Sequence, residues 1–222
     1  AGTGLLLWVF SVEAWLFTGW SLGYDLITQH AALSGVWLAF GLALLLIGMW
    51  QKEPVLRWAA FGLFAATTLK VFGLDPPLVA ATYVPLANPR AAPLLIVALV
   101  LLAAYIWEGR NEEKSAALDV QRACMAIAAA GLLLWVASSE GWLYLGWRTE
   151  EGLAGQHMCL SMVWLIFACM MLLMGMKQDN HPLRAAGLVV LVLVAVKVLV
   201  VDPGLNARNY VPLANFHALP LL

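Results

Sequence analysis

Apolar runs broken by short polar punctuation organise this chain. Stretches such as "LAFGLALLLIGM" lack the period-two alternation of a barrel strand, and the runs containing them reach the roughly 18 residues a helix needs to cross about 30 Å of hydrocarbon. The pattern predicts helical spans over 3–20, 31–50, 57–74, 91–107, 123–147, 158–176 and 184–201, with an eighth beginning near Ala218. The breaks "QKEPVLR", "DPPLVAATYVPLANPR" and "EGRNEEKSAALDVQR" carry Pro, Asn, Asp and Lys residues that stop helices or favour the bilayer surface.

Composition agrees with that pattern. Of 222 residues, 63% are hydrophobic and 11% charged, and the mean hydropathy is +0.86. Soluble domains sit near 45–50% apolar and 25% charged. The expected class is therefore an all-α integral membrane protein. The eleven Trp lie mostly near span ends, as an aromatic belt would.

Shifting the sequence by 127 residues lays 4–95 on 131–222 without a gap, with 45 of 92 positions identical. "GLLLWVFSVEAWLFTGW" meets "GLLLWVASSEGWLYLGW", "QHAALSGVWLAF" meets "QHMCLSMVWLIF", and "TYVPLAN" meets "NYVPLAN". Internal repeats of this kind mark a repeated structural module. An even number of crossings returns the chain to the same side, so two parallel four-helix repeats are expected, not inverted ones. The first would occupy 1–107 and the second 123–222, truncated in its fourth helix, with a charged linker at 108–122. Ala1 aligns with a residue already inside a helix and there is no initiator Met, so a fragment of a longer polytopic protein is expected.

Loop charge predicts orientation. Lys52, Arg57, Arg110, Lys114, Arg122, Lys177 and Arg184 fall on one side, and Arg90, Arg148 and Arg208 on the other. The first side, including the 108–122 linker, is expected in the cytoplasm of a bacterial inner membrane. Three Cys without counterparts between the repeats give neither a disulfide framework nor metal spacing.

The polar residues kept by both copies are the candidate site. Glu13 and Lys70, repeated as Glu140 and Lys197, lie within spans, where a lone charge is costly and seeks a partner. Their spacing from Trp20 and Asp75 places both roughly 7–10 Å below the outer surface, so Glu13–Lys70 and Glu140–Lys197 ion pairs are expected. Two alternatives stand beside a proton, ion or head-group site: the pairs fix helix register, or Lys70 reaches Asp75 and never meets Glu13. Gln29 and His30, with Gln156 and His157, open helices at the outer surface, where they can cap N–H groups or favour anions. Asp75, Tyr83 and Asn88, with Asp202, Tyr210 and Asn215, belong to proline-broken segments expected to roof the charged pairs, with Tyr83 and Leu86 as anchors. Trp37, Phe40, Leu44 or Leu45, and Gly48 read as a helix-packing face. No cofactor is expected. A haem or chlorin between His30 and His157 would use the one shared His per copy, which their interfacial position disfavours.

The order QH-x-x-LS-x-x-W, then LR-x-A, KV-x-x-x-D and a PLAN phrase, present twice, resembles the bacterial predicted membrane proteins of domain of unknown function 2339. The resemblance is best over 29–107 and 156–222. It implies a longer chain with many spanning helices, and no reaction, substrate or catalytic residue.

Three function classes remain. A scaffold or accessory subunit of an inner-membrane complex, with lipid, other membrane subunits or the rest of its own chain as partners, is the leading one. A transporter or a handler of lipid or lipid-linked glycan would use the Glu/Lys pairs. An envelope transferase would use Asp75 or Asp202 as base. Gly-rich phosphate loops, hydrolase serine motifs and basic nucleic-acid patches are all missing from the sequence, so no nucleic-acid partner is expected.

Overall fold

The computed structural model describes residues 2–21, 26–76, 78, 83–109, 116–148, 152–177, 179 and 181–201. Among these there are seven α-helices and no strand: α1 Gly2–Ser21, α2 Leu26–Trp50, α3 Pro54–Gly73, α4 Ala91–Gly109, α5 Ala116–Arg148, α6 Leu153–Lys177 and α7 His181–Val196. A π-helical turn, Lys197–Val201, extends α7. Five of the helices are long and apolar enough to cross a membrane. The expected eighth helix near Ala218 lies outside the described residues.

Contacts divide the chain into one unit over Ala1–Leu133 and another over Leu134–Leu222. The division falls inside α5, which begins at Ala116 and so takes up part of the stretch expected as a linker. Glu108 and Gln121, both within that stretch, are buried.

In the first unit α2 packs along α3. The residues α2 buries are Gln29, Ser34, Leu38, Gly41, Leu45 and Gly48; those of α3 include Arg57, Ala60, Phe64, Thr67 and Val71. From Ser34 and from Arg57 onward these recur in alternating steps of three and four, the spacing that interlocks two nearly aligned helices. Glycine permits the closest approach. A Cβ on Gly41 would lie 2.6 Å from the Phe64 ring, and one on Gly48 would lie 3.0 Å from the Arg57 backbone nitrogen. Val97, Leu101 and Ala104 of α4, with Met125 and Ala129 of α5, complete the core around Leu38, Leu45 and Phe64. Of the expected packing face, Leu45 and Gly48 are buried. Trp37 and Phe40 are only partly buried, and the Trp37 indole turns to α1 and donates to Ser11 Oγ at 3.0 Å.

α2 stops in a Schellman turn. Lys52 adopts φ 57°, and the Glu53 N–H reaches back to the Gly48 carbonyl at 2.9 Å. Pro54 then opens α3, where its missing N–H costs nothing. In the second unit α6 packs on α7 and Asp179, 127 positions after Lys52, repeats the left-handed turn with φ 49°.

The outward surfaces of α1–α7 carry large apolar side chains, among them Trp8, Phe17, Leu46, Leu99, Leu173 and Val192. Such a surface is stable against lipid, and the protein is a membrane protein with helical spans.

Candidate functional site

The end of the first unit where α2 begins and α3 stops gathers charge around Lys70. In the last turn of α3, its ammonium donates to the His30 carbonyl at 2.9 Å, Ser34 Oγ at 2.9 Å and Asp75 Oδ1 at 2.5 Å. An ammonium has three donors, so all of them are used. Asp75 follows the end of α3, and its backbone N–H returns to the Lys70 carbonyl at 3.1 Å. Its Oδ1 also takes a 2.9 Å bond from His30 Nδ1, and its main-chain carbonyl takes one from Arg90 Nη2 at 2.8 Å. An ionised carboxylate only accepts, so Nδ1 of His30 carries the proton. The Asp75 side chain is 2% exposed and that of His30 18%. Asp75 Oδ2 is buried with no hydrogen-bond partner.

This arrangement corrects the expected Glu13–Lys70 pair. Lys70 is saturated by acceptors from α2 and the α3 exit, and Glu13 stands exposed on α1. The physical reason is reach: Asp75 is five residues away on the same descending chain, and Ser34 and the His30 carbonyl sit on the helix that α3 packs against. The alternative in which Lys70 turns to Asp75 is the one observed.

Gln29 does not cap its own helix. Its side-chain amide donates to the Trp15 carbonyl of α1 at 3.2 Å, and the Trp15 ring meets His30 edge-on at 5.4 Å. Tyr83 is fully buried, as an anchor should be, whereas Leu86 is exposed with φ 60°. Asn88 is an N-cap. Its Oδ1 accepts from the N–H groups of Arg90 at 3.1 Å and Ala91 at 2.8 Å, with Pro89 in the turn that leads into α4. The YVPLAN phrase thus supplies a buried ring and the cap of the next helix.

The second unit repeats these contacts 127 positions on. Lys197 donates to the His157 carbonyl at 2.9 Å and Ser161 Oγ at 2.7 Å; Gln156 donates to the Trp142 carbonyl at 3.0 Å. The Trp164 indole meets Ser138 Oγ at 2.8 Å, and Trp142 meets His157 edge-on at 5.1 Å. Glu140 is 8% exposed and engaged in a polar contact. Asp202, Tyr210 and Asn215 lie outside the described residues.

A second buried cluster joins α2, α3, α4 and α5 at the opposite end of the first unit. Arg57 donates through Nε to the Gly48 carbonyl at 3.1 Å and through Nη1 to Glu108 Oε1 at 3.2 Å. Gln121 donates to the same oxygen at 3.0 Å, and Arg122 lies over the Tyr105 ring at 5.4 Å. Glu108 and Gln121 were missed because the loop between spans four and five reads as a solvated charge run. The available signal was Arg57, kept in both copies at a helix start, where a buried arginine demands an acid.

These features define a helical membrane protein whose buried charges tie its spans together at both ends of the first unit. The chain belongs to the family described as predicted membrane protein (DUF2339), whose model matches residues 76–204, more than half of its length. No curated protein and no solved structure matches the chain.

Proposed function

We propose that the chain is a scaffold or accessory subunit of a bacterial inner-membrane complex, with its charged 108–122 stretch in the cytoplasm. The observation carrying this reading is that Lys70 gives every donor to its own unit, locking α2 to the exit of α3, while Arg90 at the entry to α4 holds the Asp75 carbonyl. A group so saturated is suited to holding helices in register and poorly suited to exchanging a ligand. The Asp75 carboxylate is likewise held by Lys70 and His30, leaving little room for the bulky lipid-linked substrate a transferase would bring. Native mass spectrometry of full-length protein, extracted gently from its own membrane, tests the reading. Stoichiometric protein partners without a bound small molecule support it, and a stoichiometric lipid-linked sugar or cofactor overturns it.

A second reading, proton or ion handling, draws on the unpartnered Asp75 Oδ2 beside a histidine that reaches the surface. It requires that His30→Ala abolish proton movement in proteoliposomes carrying a pH dye. Identical traces for the variant and the parent would remove it.

A further inference from the structure

Beyond the exit of α3, two buried side-chain atoms of described residues make no hydrogen bond: Asp75 Oδ2 and Arg90 Nε. Their senses are opposite. A carboxylate oxygen accepts, and a guanidinium Nε–H donates. The two residues are already tied together, because Arg90 Nη2 donates to the Asp75 main-chain carbonyl at 2.8 Å. Nε and Nη2 belong to one rigid planar group, so Nε is held close to Asp75. Leaving a buried donor or acceptor unpaired is costly, and such groups in native structures ordinarily find a protein or water partner.

The surroundings decide what charge a partner can carry. Asp75 Oδ1 already takes the Lys70 ammonium and Nδ1 of His30, and Arg90 adds a second positive charge. A cation at Oδ2 would meet Lys70 and Arg90, whereas an anion at Nε would meet the Asp75 carboxylate, both where screening is weak. A neutral group that donates to Oδ2 and accepts from Nε meets neither objection. A hydroxyl does both through one atom, which suits a place where the Asp75 side chain is 2% exposed. We propose that the α3 exit binds one neutral hydroxyl between Asp75 Oδ2 and Arg90 Nε, supplied by a water molecule or by a lipid head group. Two polar partners are within the range of an ordered buried water. The bound hydroxyl joins the Asp75 carboxylate to the entry of α4, a link that the Lys70 bonds do not make. The site is independent of the scaffold reading.

The test is a crystal structure of the full-length protein grown from phosphatidylcholine bicelles, whose lipids carry no hydroxyl, at a resolution that shows ordered water. The expected result is a density peak within about 3.2 Å of both Asp75 Oδ2 and Arg90 Nε. A peak in those crystals is water. One that is missing there and returns, continuous with a lipid, when phosphatidylglycerol is added is a head-group hydroxyl. Arg90→Met removes the peak and leaves the His30–Asp75 bond in place; a peak that survives the substitution overturns the proposal. The parent crystals decide it by themselves if the variant does not fold. No peak with either lipid overturns it, as does the Thr82 hydroxyl filling the point, since the chain would then supply its own partner. Anomalous signal there after soaking in rubidium or bromide also overturns it, because the occupant would be an ion.

Discussion

The two units share their inner bonding and differ at their margins. Trp37–Ser11, Gln29–Trp15, Lys70–Ser34 and Lys70–His30 each recur 127 positions later at distances within 0.2 Å, for instance 3.0 Å and 2.8 Å for the indole bonds. Arg57 and Arg184, equally matched in sequence, do not behave alike. Arg57 is buried on Glu108 of α4, whereas Arg184 reaches Asp179 Oδ1 at 2.5 Å on a side chain 89% exposed. Glu13 is exposed and Glu140 is buried. The bonds among the first three helices of each repeat are kept, whereas Arg57 meets Glu108 of α4 and Arg184 meets the turn before its own helix.

That contrast can be broken at its strongest point. Lys70→Met leaves Asp75 as an uncompensated buried charge and should cost about 3–5 kcal/mol, read as a lower denaturant midpoint in micelles. Adding Asp75→Asn should restore part of it, and a double variant no better than the single would show that the charge was not the cause. Next, Arg57→Leu should cost about 3 kcal/mol by leaving Glu108 buried and unpaired, while Arg184→Leu stays within about 1 kcal/mol because its partner is solvated. Equal losses in the two denaturation curves would erase the difference between the units.

Smaller effects sharpen it. Gly48→Ala drives a Cβ into Arg57 and Leu56, at 3.0 Å each, and should cost about 1–3 kcal/mol. Gly62→Ala, which meets nothing within 4 Å, should be neutral or gain up to about 1 kcal/mol. Asn88→Ala removes a cap and should cost about 1 kcal/mol, detected as earlier fraying of α4 by hydrogen exchange. The smallest change is at the two left-handed turns. Lys52→Gly should gain up to about 1 kcal/mol by relieving φ 57°. Asp179→Gly should gain less, since aspartate tolerates that conformation better and the Arg184 pair is lost. A larger gain at Asp179 would reverse the ranking.

Much of the molecule was legible in its sequence. The helices fall where hydropathy and Pro/Asn punctuation place them, because about 30 Å of hydrocarbon and internal backbone hydrogen bonding leave a spanning segment few other choices. Of the polar positions shared by the copies, Ser34, Lys70 and Asp75 bond to one another in the structure, and Glu13 stands apart from them. Their partners were not legible. Lys70 has a flexible stem, and Glu13, Asp75 and Ser34 all lay within its plausible reach; hydropathy and helical rise fix depth along the axis but not rotation about it.

Rotation comes from packing. The three-and-four spacing of Ser34, Leu38, Gly41, Leu45 and Gly48 turns α2 toward α3, which brings Ser34 and the His30 carbonyl under Lys70 and leaves Glu13 facing away. Long-range closure likewise decided Arg57–Glu108, a pair 51 residues apart in sequence. The sequence by itself determined that this is a helical membrane protein and where its charges enter the membrane. Only tertiary structure decided which charges meet, because that depends on the azimuth each helix takes when small residues let its neighbour approach.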